Sequence, residues 1–191
     1  GKIIDPPPMT ENLRFGTNYR TIKVDTYFDF SSQGGFASAI EMCNGVGACR
    51  KKLTGTMCPS YMATMEEEHS TRGRANALRA VISGTLPHEH FKSKRLYEVL
   101  DLCLECKACK AECPSNVDMA KLKYEFLAHY YKEHGLPLRN RLFGNIAELS
   151  EIGAAFAPIS NWLMNSGISK WAMEKFVGID RRRALPNFVR E

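Results

Sequence analysis

The sequence predicts a mostly α-helical fold with two cysteine-rich turns, an extended N-terminal arm and further helices at the C-terminal end. Apolar residues recur at helical spacing in three segments, near 67–83, 93–102 and 118–134. All seven cysteines lie in two short segments, 43–58 and 103–113. With 44% hydrophobic and 25% charged residues, the 191-residue chain is typical of a globular protein with one core or two small ones.

This pattern divides the chain into three regions. Residues 1–35 lack helical periodicity and are expected to form a linker or docking arm. Within them Pro6-Pro7-Pro8 is a stiff spacer, and residues 21–30 alternate like a short strand or an arm. Residues 36–135 hold both cysteine segments and form the main helical domain. Residues 136–191 form a helical extension.

Each predicted helix has an apolar stripe at helical spacing. The stripes are Ala75, Leu78, Val81 and Ile82 in the first helix, Leu96, Val99 and Leu100 in the second, and Leu122, Phe126, Leu127 and Tyr130 in the third. In the extension we expect three short helices, around 142–152, 159–165 and 168–177, separated by Pro158 and by Ser166-Gly167.

The second cysteine segment has the spacing C-x2-C-x2-C-x3-C-P, in which three thiolates hold one iron–sulfur cluster and the fourth binds a second cluster. Its members are Cys103, Cys106, Cys109 and Cys113, followed by Pro114. A second segment must then supply the missing ligand of the first cluster. We expect Cys58, which also precedes a proline, to complete a [4Fe-4S] cluster with Cys103, Cys106 and Cys109.

The first cysteine segment lacks one ligand. Val46 lies midway between Cys43 and Cys49 in the sequence, at the position where a C-x2-C-x2-C turn has its middle cysteine. With Cys113 this cluster has three cysteine ligands, which favours [3Fe-4S] over a [4Fe-4S] cluster whose fourth iron binds water or another side chain. Gly45 and Gly47 allow the backbone to approach the cluster closely.

Other uses of the cysteines fit less well. Structural zinc prefers two separated pairs, and disulfides leave an odd thiol among seven. The net charge of +5 gives little support to nucleic-acid binding, because two ligated clusters add roughly four negative charges. The longest apolar stretch, 152–159, is far shorter than the roughly 20 residues of a membrane helix. We expect no transmembrane segment, and a cytoplasmic protein or one bound peripherally at the inner face of the membrane.

Three arginines follow the first cysteine segment on one predicted helix: Arg72, Arg74 and Arg79. We interpret Arg72 and Arg74 as cluster-binding residues whose charge stabilises an anionic cluster, with a solvated helix face as the alternative. Gly73 between them is typical of close packing. The sequence has no Ser/His/Asp arrangement, phosphate loop or G-x-G-x-x-G motif, so no catalytic residue is predicted.

With these residues identified, the chain resembles the α-helical ferredoxin-like domain of large FAD-linked dehydrogenases of the D-lactate and D-2-hydroxyglutarate dehydrogenase type. Their FAD-binding oxidase and iron–sulfur units share one polypeptide. The segments that carry the resemblance are Cys43-x-Gly45-x-Gly47-x-Cys49-Arg50, Met57-Cys58-Pro59-Ser60-Tyr61, His69-Ser70-Thr71-Arg72-Gly73-Arg74-Ala75 and the run from Cys103 to Pro114 with Asn116-Val117-Asp118-Met119-Ala120. The opening Gly1-Lys2-Ile3-Ile4-Asp5-Pro6 is similar to the last turn of the flavin unit.

The resemblance implies an internal fragment, with FAD and the substrate pocket before Gly1 and often a further cysteine-rich domain after Glu191. Its implied function is electron transfer from FAD, reduced by a D-2-hydroxy acid, through two clusters to an external quinone, cytochrome or carrier protein. Two alternatives stay open. One is an iron–sulfur subunit of a succinate-dehydrogenase-like, quinone-linked complex, in which a similar Cys-x5-Cys segment serves a [3Fe-4S] cluster. The other is a hydro-lyase that uses an open iron as Lewis acid.

Overall fold

The computed structural model describes residues 4–13 and 15–189, and within those ranges it contains ten α-helices and no strand. The predicted mostly α-helical class is confirmed. The helices are α1 (Phe36–Glu41), α2 (Pro59–Thr64), α3 (Thr71–Ile82), α4 (Lys94–Asp101), α5 (Ala108–Glu112), α6 (Met119–His134), α7 (Leu138–Gly144), α8 (Ile146–Ala155), α9 (Ile159–Asn165) and α10 (Gly167–Ala172). The resemblance noted at Gly1-Lys2-Ile3 lies outside the described residues.

The chain divides into two compact units, Gly1–Glu133 and His134–Glu191. The first unit contains all seven cysteines together with the arm. The boundary that we place at residue 35 therefore stays a prediction.

Helix α3 lies at the centre of the first unit. Its predicted stripe is confirmed, because Ala75, Leu78, Val81 and Ile82 are all at most 1% exposed. The stripe of α4 is buried as well, and in α6 Leu122 and Phe126 are buried while Leu127 and Tyr130 pack against the same core. Phe91 links these helices, since its ring centroid lies 6.0 Å from those of both Phe36 and Phe126.

The start of α3 differs from the sequence prediction. The helix begins at Thr71, whereas apolar spacing predicts a start near residue 67. Ser70 is the N-cap, and its hydroxyl accepts a hydrogen bond from the Gly73 N–H at 2.9 Å. Residues Glu67–His69 form a separate 3-10 turn. The cap marks the boundary between the turn and the helix. The first N–H groups of a helix have no carbonyl partner within the helix, and the serine hydroxyl accepts a hydrogen bond from one of them.

Residues 15–35 of the arm contain no strand, and residues 22–28 pack on the helical core. The Ile22 N–H donates to the Ile82 carbonyl at 2.9 Å. The Glu125 carboxylate, which is fully buried in α6, accepts the backbone N–H groups of Tyr27 and Phe28 at 3.0 Å each. These bonds satisfy both the buried carboxylate and the extended backbone.

Up to residue 189 the second unit contains four α-helices, α7 to α10, where three are predicted. Asn145 separates α7 from α8, and a π-helical turn, Met173–Val177, follows α10. Of its described residues, Ala157 alone is buried. Phe188 is held against α9 by two reciprocal hydrogen bonds with the Asn161 amide, each 2.8 Å. Nowhere in the described ranges is a helix both long and apolar enough to cross a membrane.

Candidate metal centres

The first cavity is lined by four thiols, those of Cys58, Cys103, Cys106 and Cys109. Cys58 precedes α2 as its N-cap, and Cys109 lies in α5. Cys103 and Cys106 come from the loop between α4 and α5. We call this the four-thiol cavity.

The second cavity is lined by three thiols, those of Cys43, Cys49 and Cys113. Cys43 follows α1, Cys49 lies in the 3-10 turn Ala48–Arg50, and Cys113 follows α5. Val46 also lines this cavity, and its side chain is 61% exposed. We call this the three-thiol cavity.

The two cavities are adjacent. Helix α5 supplies Cys109 to the four-thiol cavity, and the residue after its end, Cys113, lines the three-thiol cavity. Thr71, which is 3% exposed, lines both. The predicted ligand sets are thus found together, four residues in one place and three in the other.

Backbone N–H groups point to the thiols in both cavities. Cys58 accepts from Tyr61, Cys103 from Glu105 and Cys109 from Met119. In the other cavity the Arg72 N–H donates to Cys49 Sγ at 3.4 Å. Such bonds favour the negatively charged form of sulfur.

Several turns around the thiols use left-handed backbone. Glu105 and Lys107 have φ of 57° and 58°, and Gly45 and Gly47 have φ of 83° and 78°. At Gly47 an added Cβ would also lie 3.3 Å from the Arg72 guanidinium. A side chain at this glycine is therefore disfavoured both by backbone conformation and by space.

Arg74 is fully buried and bonds to the four-thiol cavity. Its guanidinium donates to Cys58 Sγ at 3.6 Å and to Ser60 Oγ at 3.0 Å. The remaining bonds go to the carbonyls of His69 and Val99, at 2.7 and 3.0 Å. No carboxylate within the described chain pairs with it, so its charge can be balanced by thiolates.

Arg72 bonds to the three-thiol cavity and has a different charge balance. Its Nε donates to the Glu67 carboxylate at 2.7 Å, and one terminal nitrogen donates to the Gly45 carbonyl at 3.3 Å. Arg79, the third arginine of α3, donates to the Cys43 carbonyl at 3.1 Å and stacks on Phe15. The alternative of a solvated arginine face is therefore wrong for Arg74 and Arg79, both of which are buried.

Burial raises the pKa of a thiol, whereas a nearby hydrogen-bond donor or positive charge lowers it. Burial raises the pKa of Cys49, Cys103 and Cys109, the last to about 11. At Cys58 burial acts in the same sense, but the Ser60 hydrogen bond and the charge of Arg74 outweigh it and lower the pKa. Of these four thiols, Cys58 is the one most readily converted to the thiolate that binds metal.

Sequence reasoning missed Lys123 in α6. Its Nζ donates to the carbonyls of Asp101 and Cys103, at 3.1 and 2.8 Å, and pairs with Glu105 at 2.9 Å. All three ammonium protons are therefore used to hold the Cys103 loop. The position of Lys123 in the sequence could have indicated this role. Lys123 lies four residues after the buried Met119 and therefore on the apolar face of the helix.

The residues present fit iron–sulfur clusters. Thiolate sets select zinc, copper(I) or iron–sulfur groups, and the dense cysteine run with its trailing proline is the iron–sulfur pattern. The buried guanidinium at Cys58 and the N–H bonds to sulfur suit an anionic group in the cavity.

Comparison with known proteins agrees with this chemistry. Residues 39–117 match the family model of the 4Fe-4S dicluster domain. The chain is 31% identical to D-2-hydroxyglutarate dehydrogenase of Pseudomonas putida, over 91% of the chain and 20% of that protein. It is 26% identical to the Escherichia coli protein of the same name, over 72% of the chain and 17% of that protein.

A shorter match is to the probable glycolate oxidase iron-sulfur subunit of Bacillus subtilis, 37% identical over 41% of the chain and 18% of that protein. No solved structure matches the chain significantly. The chain spans about a fifth of the length of the curated relatives it matches. Residues 39–117 thus match the 4Fe-4S dicluster domain, and the chain is similar over most of its length to D-2-hydroxyglutarate dehydrogenases.

Proposed function

We propose that the chain is an electron-transfer module that holds two iron–sulfur clusters. The observation that carries the proposal is the division of seven thiols between two adjacent cavities, four in one and three in the other. The match of residues 39–117 to a dicluster domain supports it.

In this proposal Cys58, Cys103, Cys106 and Cys109 hold a [4Fe-4S] cluster. Cys43, Cys49 and Cys113 hold a [3Fe-4S] cluster or a [4Fe-4S] cluster with three cysteine ligands. Each cavity then takes ligands from both cysteine segments. The presence of Val46 in the three-thiol cavity supports the lower ligand count there, because an apolar side chain cannot bind iron.

When bound, an iron–sulfur cluster supplies one-electron transfer, whereas a flavin can take up an electron pair from a substrate. The chain's own residues would bind the clusters and balance the charge around their sulfur ligands. The thiolates ligate, and the N–H groups of Tyr61, Glu105 and Arg72 orient and stabilise sulfur. Arg74 offsets negative charge at Cys58, and Lys123 holds the Cys103 loop in place.

We further propose that the electrons come from FAD in a domain beyond this chain and originate in a D-2-hydroxy acid. D-2-hydroxyglutarate and glycolate, which appear in the names of the relatives, are both 2-hydroxy acids. The electrons would leave to a quinone, a cytochrome or a carrier protein.

A second arrangement is favoured by one comparison. The Bacillus subtilis relative is named an iron-sulfur subunit, which supports a module that associates with a separate flavin subunit. Purification of the intact native protein distinguishes the two arrangements. In a fused enzyme the flavin-binding and cysteine-rich sequences run as one band under denaturing electrophoresis, whereas separate subunits run as two.

Anaerobic purification of the full chain tests the cluster proposal. We expect about seven or eight iron atoms per chain, with matching acid-labile sulfide and a reducible paramagnetic signal. Stoichiometric zinc without sulfide would contradict the proposal.

A further inference from the structure

A basic surface borders both cavities. It is formed by helix α5 with the turn before it and by the loop 51–57, and we call it the α5 face. Its exposed lysines and leucines are Lys51, Lys52, Leu53, Leu104, Lys107 and Lys110.

The loop 51–57 is tied to α5 by one carboxylate. Glu112, at the end of α5, accepts the N–H groups of Thr56 at 2.7 Å and Met57 at 3.2 Å. Gly55 lies so close that an added Cβ would meet this carboxylate. The lysines of the loop and those of the helix therefore belong to one continuous surface.

The positive charges of this face are available to a partner. The cysteine segment 43–58 contains no acidic residue. In the other segment Glu105 pairs with Lys123, and Glu112 is used by backbone N–H groups. Lys110 lies 3.5 Å from Asp118. The other three lysines of the face make no ion pair within residues 4–13 and 15–189, although, after the hydrogen bonds from Thr56 and Met57, the charge of Lys51 helps to lower the pKa of the Glu112 carboxyl.

Two large apolar side chains lie among these charges. Leu53 is 96% exposed and Leu104 is 70% exposed. Apolar contact area combined with charged residues around it is the usual composition of a protein docking site. Surface charge of one sign steers a partner of the opposite sign and sets its orientation.

We propose that the α5 face docks an acidic protein that exchanges electrons with this module. The inference rests on the proposed function. Cys106, which is exposed, and Cys109 belong to one cavity, and Cys113 to the other, so a protein on α5 lies beside both. Electron exchange needs a partner with its own redox centre, which favours a protein over anionic lipid or nucleic acid.

The test measures binding with all proteins oxidised, so that no electron moves. The holo-protein is titrated with two haem proteins of opposite charge, the acidic cytochrome b5 and the basic cytochrome c, at low and high ionic strength. Vesicles of phosphatidylserine and phosphatidylcholine form a third arm. We expect binding of cytochrome b5 at low salt, weakening as salt screens the lysines, and no measurable binding of cytochrome c.

Charge reversal then locates the surface. The double variant K51E/K52E should bind cytochrome b5 about tenfold more weakly at low salt. The matched control K94E/K132E changes two exposed lysines of the same unit that line neither cavity, and its affinity should stay within about twofold of the wild type.

Equal losses in both double variants, equal binding of the two cytochromes, or tighter binding to the anionic vesicles would overturn the inference. Iron and sulfide content is measured on every preparation. Intact clusters without selective binding reject this inference alone, whereas absence of clusters from the wild type contradicts the proposed function itself.

Discussion

The two cavities differ most in how the charge around their thiols is balanced. At the four-thiol cavity Arg74 is fully buried, and no described carboxylate neutralises it. At the three-thiol cavity Arg72 pairs with Glu67 and keeps 25% of its side chain exposed. A guanidinium without a carboxylate partner is costly in a protein interior unless another negative group faces it. Arg79 beside the three-thiol cavity is also buried, but it donates to the Cys43 carbonyl and not to sulfur. Because Arg74 bonds directly to a thiol, we expect changes at the four-thiol cavity to have the larger effects.

The largest effect is expected from Cys58→Ser. Because Cys58 lines the cavity of Cys103, Cys106 and Cys109, its loss should remove most of the cluster held there and leave the other cluster largely intact. Iron and sulfide analysis with electron spin resonance measures both. Cys113→Ser is the matched control and should show the reverse. If Cys58→Ser damages chiefly the cluster nested in 43–49, each segment closes its own cluster.

Arg74→Met should come next. It removes a buried charge and its hydrogen bonds to the Ser60 hydroxyl and the Val99 carbonyl, while the His69 carbonyl keeps the Ser60 hydroxyl as a donor. We expect this to lower the free energy of unfolding by about 3–5 kcal/mol. Arg72→Met breaks a partly exposed ion pair and should cost about 1 kcal/mol or less. Because cluster loss makes unfolding of the holo-proteins irreversible, the two variants are compared by their urea midpoints under matched anaerobic conditions. Similar losses in the two variants would remove the asymmetry between the cavities.

Gly73→Ala should affect both cavities together. The glycine lies between Arg72 and Arg74, and an added Cβ would collide with the backbone carbonyl of Glu67, so the expected cost is about 2–3 kcal/mol. Gly144→Ala in α7 is the control, because nothing lies within 4 Å of its added Cβ. Its stability should be unchanged or slightly raised. Thermal unfolding checks both, and an unaffected Gly73→Ala protein would show that the 3-10 turn can move away.

The smallest change is Val46→Cys, which makes the two cavities alike in thiol number. We expect about one additional iron atom per chain and loss of the three-iron signal, with little change in stability. Val46→Ala is the control and should leave the iron content as in the wild type. Unchanged iron in Val46→Cys would mean that residue 46 does not face the vacant position.

Local pattern predicted the helices well. The stripes of α3 and α4 are buried as expected, since burial of one helix face follows from spacing alone. The start of α3 was missed because apolar spacing does not report the Ser70 cap. The split of the extension at Asn145 was missed because no break in the apolar spacing marks it.

The contacts of the charged residues were harder to predict from the sequence than the helices. Lys123 and Glu125 interrupt the apolar face of α6, and only tertiary contacts show that one holds the Cys103 loop and the other the arm. The three arginines of α3 belong to one stretch of sequence but do not share one face of the helix. Arg72 and Arg79, seven residues apart, lie on the same side and bond to the carbonyls of Gly45 and Cys43, whereas Arg74 lies on another side and bonds to Cys58. The pairing of cysteine sets with clusters stays a prediction.

Thr71 lines both cavities, and the wall between them is therefore one residue thick. An electron crosses such a barrier by tunnelling, whose rate falls exponentially with the distance between the centres. In the proposed two-cluster module, Thr71 would be the residue that lies between the two centres, and its size would contribute to the distance that an electron has to cross.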